Sequence, residues 1–563
     1  MAVSSVIFAQ GQQRVELIYL DDGTTSGDEV MTARDTLDMV RQVNGHLTNL
    51  HAEGYLLASV INTKTVHDSL HRVYLAKGEL FEWAGLKKGN LSDLLINKAG
   101  FREKFYRQRP FKPAELAAFY KRILNQSERN GYPFAQVGLD SVQIENNKIR
   151  AAIDYQPGPL ITFDSLVVRP DVSVKKAWLQ TYLQIVPGQP FNQAVVDQLD
   201  EKIDDLNFLS MDSLPGITFQ NEQATVYLHV KKVPVNTIDG IVGFLPNEKA
   251  DGSMLITGEF DMSLYNLFNS GKGLGVHWQS LKPESQLLEI AYRHPNLLHS
   301  PLHFESSFYL LKEDTTFLNR KGVFRLRYAP GAHGLGFFTR LESSRLLGTT
   351  ETALTTNAAI SDFNVNYYGL NYSYKKMSRR GVPRGIQSFI ELAIGDKEVK
   401  QNNLLPPDAF DRLARKSTQY FMQGRLQWLS PVGKKLGLST TIEGGKLIND
   451  NLFLNDLFRV GGLNSLRGFN ENFFFASDYG LLSMELRYYY SYDSFLFIFY
   501  DQSYLYYNLG ENIFEDYPLG VGAGLSLSVG KGQLNLVYAL GRSAEQPMSI
   551  NLSKFHFGYT AKF

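Results

Sequence analysis

The chain ends in Phe555-His-Phe-Gly-Tyr-Thr-Ala-Lys-Phe563, and this stretch decides the fold. Apolar residues stand at every second position, and histidine, glycine, threonine and lysine stand between them. Successive side chains of a β-strand point to opposite faces, so a period of two indicates a strand rather than a helix. The sequence therefore predicts a terminal strand with one apolar face and one polar face.

The same period recurs through residues 237–563. In residues 521–529, apolar side chains alternate with glycine and serine, and in residues 324–328 arginines alternate with apolar side chains. Charges at every second position fit a barrel wall that has lipid outside and water inside. A soluble β-sandwich would also alternate, but it would carry fewer aromatic residues at strand ends. At roughly 20 residues for each strand with its connection, the fold class is a transmembrane antiparallel β-barrel of about 16 strands.

Composition limits the other classes. The chain has 563 residues, 57 Lys+Arg against 57 Asp+Glu, and a mean hydropathy of −0.20. No run of 18 apolar residues occurs, so a helical membrane span is excluded, whereas alternating barrel strands keep the average near neutral. Balanced charge gives no reason to expect a nucleic-acid partner. The absence of cysteine excludes disulfides, thiolate metal sites and a cysteine nucleophile.

An internal repeat organises the residues before the barrel. Glu53-Gly-Tyr-Leu-Leu-Ala-Ser-Val60 returns as Asn130-Gly-Tyr-Pro-Phe-Ala-Gln-Val137, and the glycines are 131 − 54 = 77 residues apart. Helical periodicity precedes each copy, and alternating runs such as residues 142–153 follow, so each unit combines a helix, a glycine turn and a strand pair. The predicted helices are residues 30–50, 113–128 and, in a weaker third copy that ends in Asn-Phe instead of Gly-Tyr, 192–206. The predicted α+β domains are residues 14–88, 89–160 and 161–236.

The first residues resemble the end of a secretory signal. Residues 1–9 are short, mostly apolar and close on alanine, although a positively charged start is missing. We expect residues 1–13 to be a signal-peptide remnant or, alternatively, a disordered start.

Two motifs carry a family resemblance. Gly461-Gly-Leu-Asn-Ser-Leu-Arg-Gly-Phe469 and Phe499-Tyr-Asp-Gln-Ser503 resemble the pore loop and the inner-wall strand of the BamA/TamA family of outer-membrane assembly proteins, which has relatives in two-partner secretion. The resemblance implies POTRA domains in the periplasm, followed by a surface-antigen barrel in the bacterial outer membrane. Three repeat units and this chain length are most similar to the TamA branch. Serine stands at position 503, where the family usually has glycine.

The resemblance also implies roles for individual residues. Arg467 pairs with Asp501 and packs near Phe499, while Gly468 and Phe469 shape the loop tip. A guanidinium suits this task because it binds a carboxylate in a bidentate geometry. The alternative is that Arg467 is one of many arginines of the lumen in loose ion pairs of little energy.

The final strand resembles the signal that directs bacterial barrels to insertion, which implies roles for His556, Gly558, Ala561 and Phe563. Glycine weakens strand pairing, so Gly558 could loosen the seam where the last strand meets the first. The alternative is that Gly558 makes room for a bulky neighbour in the lumen.

We expect no enzyme activity and no cofactor, because the sequence contains no phosphate-binding loop, HExxH motif or nucleophile elbow. We also expect no metal site, since His294, His299 and His303 alternate between strand faces. The favoured function is capture of unfolded outer-membrane or secreted proteins by the periplasmic domains, with release through a lateral seam and with help from possible accessory subunits. The alternatives are a secretion pore for one cognate exoprotein and a passive porin or receptor.

Overall fold

The structure is a computed structural model of the chain. It describes residues 13–21, 24–67, 70–168, 172–246, 254–280, 285–348, 360–378, 381–404, 413–491, 493–510 and 512–563. The predicted signal remnant, residues 1–13, lies outside the described residues except for Gln13.

The described chain divides into two compact units. The first runs to Ser165 and adds Val186–Asp197 and Ile217–Thr225, and the second contains the remaining residues to Phe563. The elements that precede the barrel are β1 (Gln13–Asp21), β2 (Thr24–Ala33), α1 (Thr36–Glu53), β3 (Ser59–His67), β4 (Leu70–Ala76), β5 (Glu82–Lys87), α2 (Asp93–Ala99), α3 (Pro113–Glu128), β6 (Gln136–Glu145), β7 (Lys148–Gln156), β8 (Thr162–Val168), α4 (Lys176–Leu183), α5 (Gln193–Asp197), α6 (Leu199–Asp205), β9 (Leu209–Met211), β10 (Gly216–Gln220), β11 (Gln223–Leu228) and β12 (Val230–Lys232).

Within the described residues these strands form four small sheets. The sheets have the strand orders β2-β1-β4-β3, β5-β7-β6, β10-β11-β8 and β12-β9. The predicted helix 113–128 has the bounds of α3. The predicted helix at 30–50 begins later, because Val30 belongs to β2 and the Asp35 carboxylate accepts the backbone N–H of Asp38 at the start of α1.

The repeated glycines connect successive sheets of the first unit in the same way. Gly54 and Gly131 have φ of 112° and 92°, the left-handed region that ends a helix. The Gly54 carbonyl accepts the backbone N–H of Phe81, and the Gly131 carbonyl accepts that of Ile161. A Cβ at Gly54 would lie 2.8 Å from the Phe111 carbonyl oxygen, so the position has no space for a side chain. The repeat in sequence therefore marks a repeated junction.

The third copy departs from the prediction in its helix. Residues 192–206 form two short helices, α5 and α6, with Gln198 between them, and Val196, Leu199 and Ile203 are buried. Asn207 has φ of 60° and takes the left-handed position that glycine occupies in the other copies. Asparagine tolerates this region better than most side chains.

The remaining chain is a closed antiparallel barrel. Its strands are β13 (Thr237–Pro246), β14 (Met254–Leu267), β15 (Lys272–Ser280), β16 (Gln286–Leu297), β17 (Leu302–Glu313), β18 (Phe317–Tyr328), β19 (His333–Leu346), β20 (Asp362–Ser378), β21 (Arg384–Lys400), β22 (Lys416–Pro431) and β23 (Leu436–Ile448), then, after the hairpin strands β24 (Phe458–Val460) and β25 (Phe474–Ala476), β26 (Asp478–Ser491), β27 (Ser494–Leu509), β28 (Asn512–Asp516), β29 (Leu519–Val529), β30 (Gly532–Arg542) and β31 (Lys554–Lys562).

The barrel has sixteen strand positions within the described residues. β28 and β29 both pair with β27, so they are two pieces of one wall strand, interrupted at Tyr517 and Pro518. Proline has no N–H to donate to a ladder, which accounts for the interruption. The predicted fold class, a barrel of about 16 strands after α+β domains, is confirmed.

The two faces of the wall differ in chemistry. Large apolar side chains are exposed on the outside, among them Phe324, Leu326, Phe337, Leu370, Ile390, Leu392, Ile394, Met422, Trp428 and Ile498. Charged side chains such as Arg340, Glu391 and Asp501 are buried on the inside. Among the helices of the described chain, none combines the length and apolar character that a membrane crossing requires.

Closure of the barrel is uneven. At the seam, β13 and β31 pair only through Thr237 with Lys562 and Ile238 with Ala561. On its other side, β31 pairs with β30 from Lys554 to Ala561. Most of the last strand therefore has one hydrogen-bonded neighbour among the described residues.

Candidate functional site inside the barrel

The connection between β23 and β26 folds back into the lumen. We call residues 449–477 the re-entrant segment. Leu466, Phe469 and Phe474 of this segment are at most 4% exposed and pack with Leu481 and Leu505 of the wall. The segment is thus part of the interior of the barrel.

Arg467 fixes the tip of the re-entrant segment to β27. Its Nε lies 2.7 Å from Asp501 Oδ2, its Nη2 lies 2.6 Å from Asp501 Oδ1, and its backbone N–H donates to Oδ2 at 3.3 Å. The carboxylate is fully buried. This is the bidentate geometry in which a guanidinium binds a carboxylate most strongly.

Three further wall residues, Ser483, Glu485 and Arg487, complete the site. Arg467 Nη1 donates to Glu485, and Nη2 donates to Ser483 Oγ at 2.9 Å. Glu485 in turn accepts from Arg487 Nε at 2.7 Å. Two guanidiniums therefore face two carboxylates, which offsets the cost of removing these charges from water.

Aromatic rings cover the ion pair. The guanidinium carbon of Arg467 lies 3.7 Å from the centroid of the Phe499 ring, a cation–π contact. Phe469 is 1% exposed and meets Phe474 edge to face with ring centroids 4.9 Å apart. The structure therefore brings together Arg467, Phe499 and Asp501, with Phe469 packed beside them.

Glycines of the wall make space for the tip. A Cβ at Gly520 would overlap the backbone oxygen of Arg467, and a Cβ at Gly541 would lie 2.6 Å from the Gly468 oxygen. Gly468 has φ of 94°, so a side chain there would also be strained. A Cβ at Gly522 would lie 2.7 Å from the Phe499 ring. The glycine face of residues 520–524 is thus the surface on which the tip and the ring of Phe499 rest.

The predicted residues of the last strand lie apart from this cluster. His556 pairs with Val537, and Gly558 pairs with Asn535 on β30. Ala561 pairs with Ile238 at the seam, and the Phe563 N–H donates to the Asn236 carbonyl at 2.9 Å. A Cβ at Gly558 would meet no atom within 4 Å among the described residues, so crowding does not require this glycine.

Among the described residues, one group of three side chains has the spacing of metal ligands, and it consists of Glu259, Asp261 and His277. His277 Nδ1 is 2.7 Å from Asp261 Oδ1, a histidine–carboxylate contact that accounts for the proximity. We assign no metal or cofactor to it.

Sequence reasoning missed Ser483, Glu485 and Gly541 as parts of the site. The polar positions 483, 485 and 487 were visible as a period-two pattern, which places them on the lumen face. Nothing in the pattern showed which lumen position the loop would reach, because that depends on the stagger of neighbouring strands.

The fold is similar to that of solved structures. CdiB from Acinetobacter baumannii matches with a TM-score of 0.54 at 14% identity, over 93% of this chain and 97% of that one. CdiB from Escherichia coli matches with a TM-score of 0.53 at 14% identity and the same coverage. BamA from Haemophilus ducreyi lacking POTRA domains 1–3 covers 86% of this chain at 13% identity, with a TM-score of 0.40.

No protein-family model matches the sequence, and no curated protein is similar to it. At 14% identity the likeness to the two CdiB structures establishes a shared fold, α+β domains followed by a barrel. The function is inferred from the site.

Proposed function

We propose that this chain is an outer-membrane protein assembly or translocation factor of the BamA/TamA family. The observation that carries the proposal is the re-entrant segment, held in the lumen by the buried Arg467–Asp501 pair of a barrel whose seam has two register pairs. The three α+β domains make the TamA branch the narrower assignment.

The proposed location is the bacterial outer membrane, with the α+β domains in the periplasm as POTRA domains. The apolar outer face of the barrel supports a lipid environment, since water would disfavour so many exposed large apolar side chains. A signal peptide at the start of the chain would provide the export that this location requires.

Clients are captured on strand edges of the periplasmic domains. β3 is an edge strand of its sheet, and all nine of its residues are exposed. β6 is likewise an edge strand. An exposed edge offers unpaired N–H and C=O groups to an extended segment of an unfolded protein.

Release of the client proceeds through the seam. Most of the β31 edge that faces β13 lacks register pairs, so separation of these strands breaks few hydrogen bonds. A client strand that pairs with this edge of β31 would form the backbone hydrogen bonds that β13 does not form with it. No bond chemistry is required, and the driving free energy is the folding and strand pairing of the client.

A passive porin or receptor is the less favoured alternative. The re-entrant segment fills part of the lumen with packed side chains, which an open channel would not need. Secretion of one cognate exoprotein through the lumen differs from insertion in the route of the client, and it requires the segment to move.

Depletion of the protein tests the proposal against both alternatives. We expect the levels of many outer-membrane proteins to fall, as measured by quantitative proteomics of outer membranes. Loss of one secreted protein alone would favour the secretion pore. Loss of small-solute uptake with a normal set of outer-membrane proteins would contradict the proposal.

A further inference from the structure

The re-entrant segment carries a second buried ion pair in its first half. The Nζ atom of Lys397, on β21, lies 2.5 Å from Asp456 Oδ2. The Lys397 side chain is 0% exposed and the Asp456 side chain is 1% exposed. The Lys397 ammonium also donates to the Asn451 carbonyl at 2.7 Å. A wall lysine is therefore bound to two points of the segment at once.

Aromatic rings enclose this lysine. Lys397 Nζ lies 4.7 Å from the ring centroids of both Phe363, on the wall, and Phe453, in the segment. The two rings are stacked with an interplanar angle of 17°. Because the ammonium is out of water, its attraction to the carboxylate and to the ring faces is stronger than at a surface.

The neighbouring Asn455 adds hydrogen bonds to β18, to β19 and to the residue that precedes β20. Its side-chain amide donates to Ser344 Oγ at 2.6 Å and to the Ser361 carbonyl at 2.8 Å, and its own carbonyl accepts from Asn319 at 2.8 Å. Asp456 also accepts the backbone N–H of Phe453 at 2.8 Å. The first half of the segment is thus bound to β18, β19 and β21.

The two ion pairs, Lys397–Asp456 and Arg467–Asp501, anchor the segment to different strands of the barrel. Asp456 reaches β21 and Arg467 reaches β27, with β22, β23 and β26 between them in the barrel order. The tip continues to β29 and β30, where Gly520 and Gly541 receive it. The segment therefore crosses the lumen and is tied at both ends of its path.

We propose that Lys397 and Asp456 form a second, independent latch that keeps the lumen closed. Lys397 and Asp456 are positioning residues. The latch holds the first half of the segment against β18–β21, while Arg467 holds the tip. Release of the latch frees residues 449–457 from the wall and opens a path for ions, while the tip remains at Asp501.

The consequence for translocation rests on the proposed function. A client that uses the lumen or shifts the segment must break this latch, because Phe453, Asn455 and Asp456 are packed into the wall. The closed lumen itself is a property of the empty protein, so it can be measured without a client.

The test is the ion conductance of the purified full-length protein in planar lipid bilayers. Lys397→Met keeps the length of the side chain and leaves Asp456 buried without its partner, so we expect the open fraction to rise at least about tenfold. Lys321→Met is the matched control. It removes a lysine of the lumen whose partner is Glu342 on the wall, at 3.7 Å, and we expect it to leave the open fraction unchanged.

A second variant, Asp456→Asn, tests the latch from the side of the re-entrant segment. It keeps the size of the side chain and leaves the buried Lys397 ammonium without its carboxylate. We expect the open fraction to rise at least about tenfold, because an unpaired buried charge destabilises the closed arrangement.

An open fraction equal to wild type in heat-modifiable, folded Lys397→Met or Asp456→Asn would overturn the latch. These readouts use no client. Failure of the depletion experiment would remove the proposed function and leave the conductance result intact.

Discussion

The seam and the wall formed by β20 and β21 are built from the same kind of strand, yet they are closed very differently. β20 and β21 share seventeen register pairs, from Asp362 with Lys400 to Ser378 with Arg384, whereas β13 and β31 share two. Each backbone hydrogen bond contributes roughly 1 kcal/mol net, and more where water is excluded. Backbone hydrogen bonds therefore hold β20 and β21 together strongly and hold the seam strands β13 and β31 together weakly.

Because the seam has the fewer register pairs, it is the line at which this barrel would open at the smaller cost in hydrogen bonds. A uniform barrel would have no preferred place to open, and an unpaired edge in hydrocarbon costs several kcal/mol for each group. In this barrel the two anchors of the segment bind β21 and β27, which are not the seam strands. We therefore expect the seam to open while the anchored segment stays in place.

Locking the seam should have the largest effect. Cross-strand neighbours have Cβ atoms about 4.5–5.5 Å apart, close to the distance that a disulfide spans. We expect Ile238→Cys with Ala561→Cys to abolish client assembly after mild oxidation, because the strands cannot separate, and to restore it on reduction. The measurement is the outer-membrane level of newly made barrel proteins.

The matched control is a lock across the strong wall. Asn364 and Glu398 are register partners on β20 and β21, and cysteines at these positions should crosslink without loss of assembly. Full activity of the oxidised seam variant would remove lateral release from the mechanism.

Release of the segment tip should have the next largest effect. Arg467→Ala leaves Asp501 buried and unpaired, which costs about 3–5 kcal/mol, so we expect client assembly to fall strongly while the barrel remains inserted. Arg467→Lys should be intermediate, because it keeps the charge and loses the bidentate geometry. Client levels and the heat-modifiability of the barrel measure the two properties separately.

The control for this prediction is Arg425→Ala. Arg425 pairs with Glu443 at 3.7 Å with its side chain 55% exposed, so the pair is of little energy. Equal effects of the two substitutions would mean that Arg467 has no special role.

A smaller effect should follow from filling the glycine surface. Gly520→Ala places a methyl group on the backbone oxygen of Arg467, so the tip must shift and assembly should fall by less than in Arg467→Ala. Gly480→Ala is the control, since a Cβ there meets no described atom within 4 Å. Limited proteolysis of the re-entrant segment should rise in the first variant alone; equal proteolysis in both would contradict the role of Gly520.

The smallest effect concerns the domain that precedes the seam strand. Burial lowers the pKa of Lys202 in α6 from 10.5 to about 8. The folded state thus binds this proton less tightly than the unfolded state, and stability is lowest below about pH 8 and rises as the pH approaches 10.5. The protection factors of the α6 amides, which correct for the base-catalysed rise of intrinsic exchange, should increase across this window.

Lys202→Met should remove this pH dependence and slow the exchange of α6 at pH 7. Lys176→Met is the control, because Lys176 is exposed on α4. If the pH dependence of α6 protection were the same in Lys202→Met as in the wild type, Lys202 would not be the cause of that dependence.

The barrel was predictable because apolar and polar side chains alternate along each strand, and this alternation does not depend on how neighbouring strands are staggered. Strand alternation alone placed charged residues such as Arg325 on the inner face, and the resemblance pointed to Arg467 and Asp501. The prediction that α1 begins at Val30 was wrong. The Asp35 side chain caps the helix at its observed start, and this cap outweighs the apolar pattern that includes Val30.

Long-range partners were not predictable. Lys397 and Asp456 are 59 residues apart, and neither stands in a recognisable motif. Their pairing depends on how far the re-entrant segment enters the lumen and on the shear of the barrel, which local periodicity does not contain. The glycines at positions 520 and 522 indicated that one face of a strand has no side chains. Which residues pack on that face could be learned only from the structure.

We propose that the barrel opens at the seam while the wall formed by β20 and β21 stays closed. Amide hydrogen exchange of the protein in lipid nanodiscs tests it most directly. We predict that the amides of residues 554–560 exchange much faster than those of β20 and β21. Equal, strong protection of both regions would contradict the account.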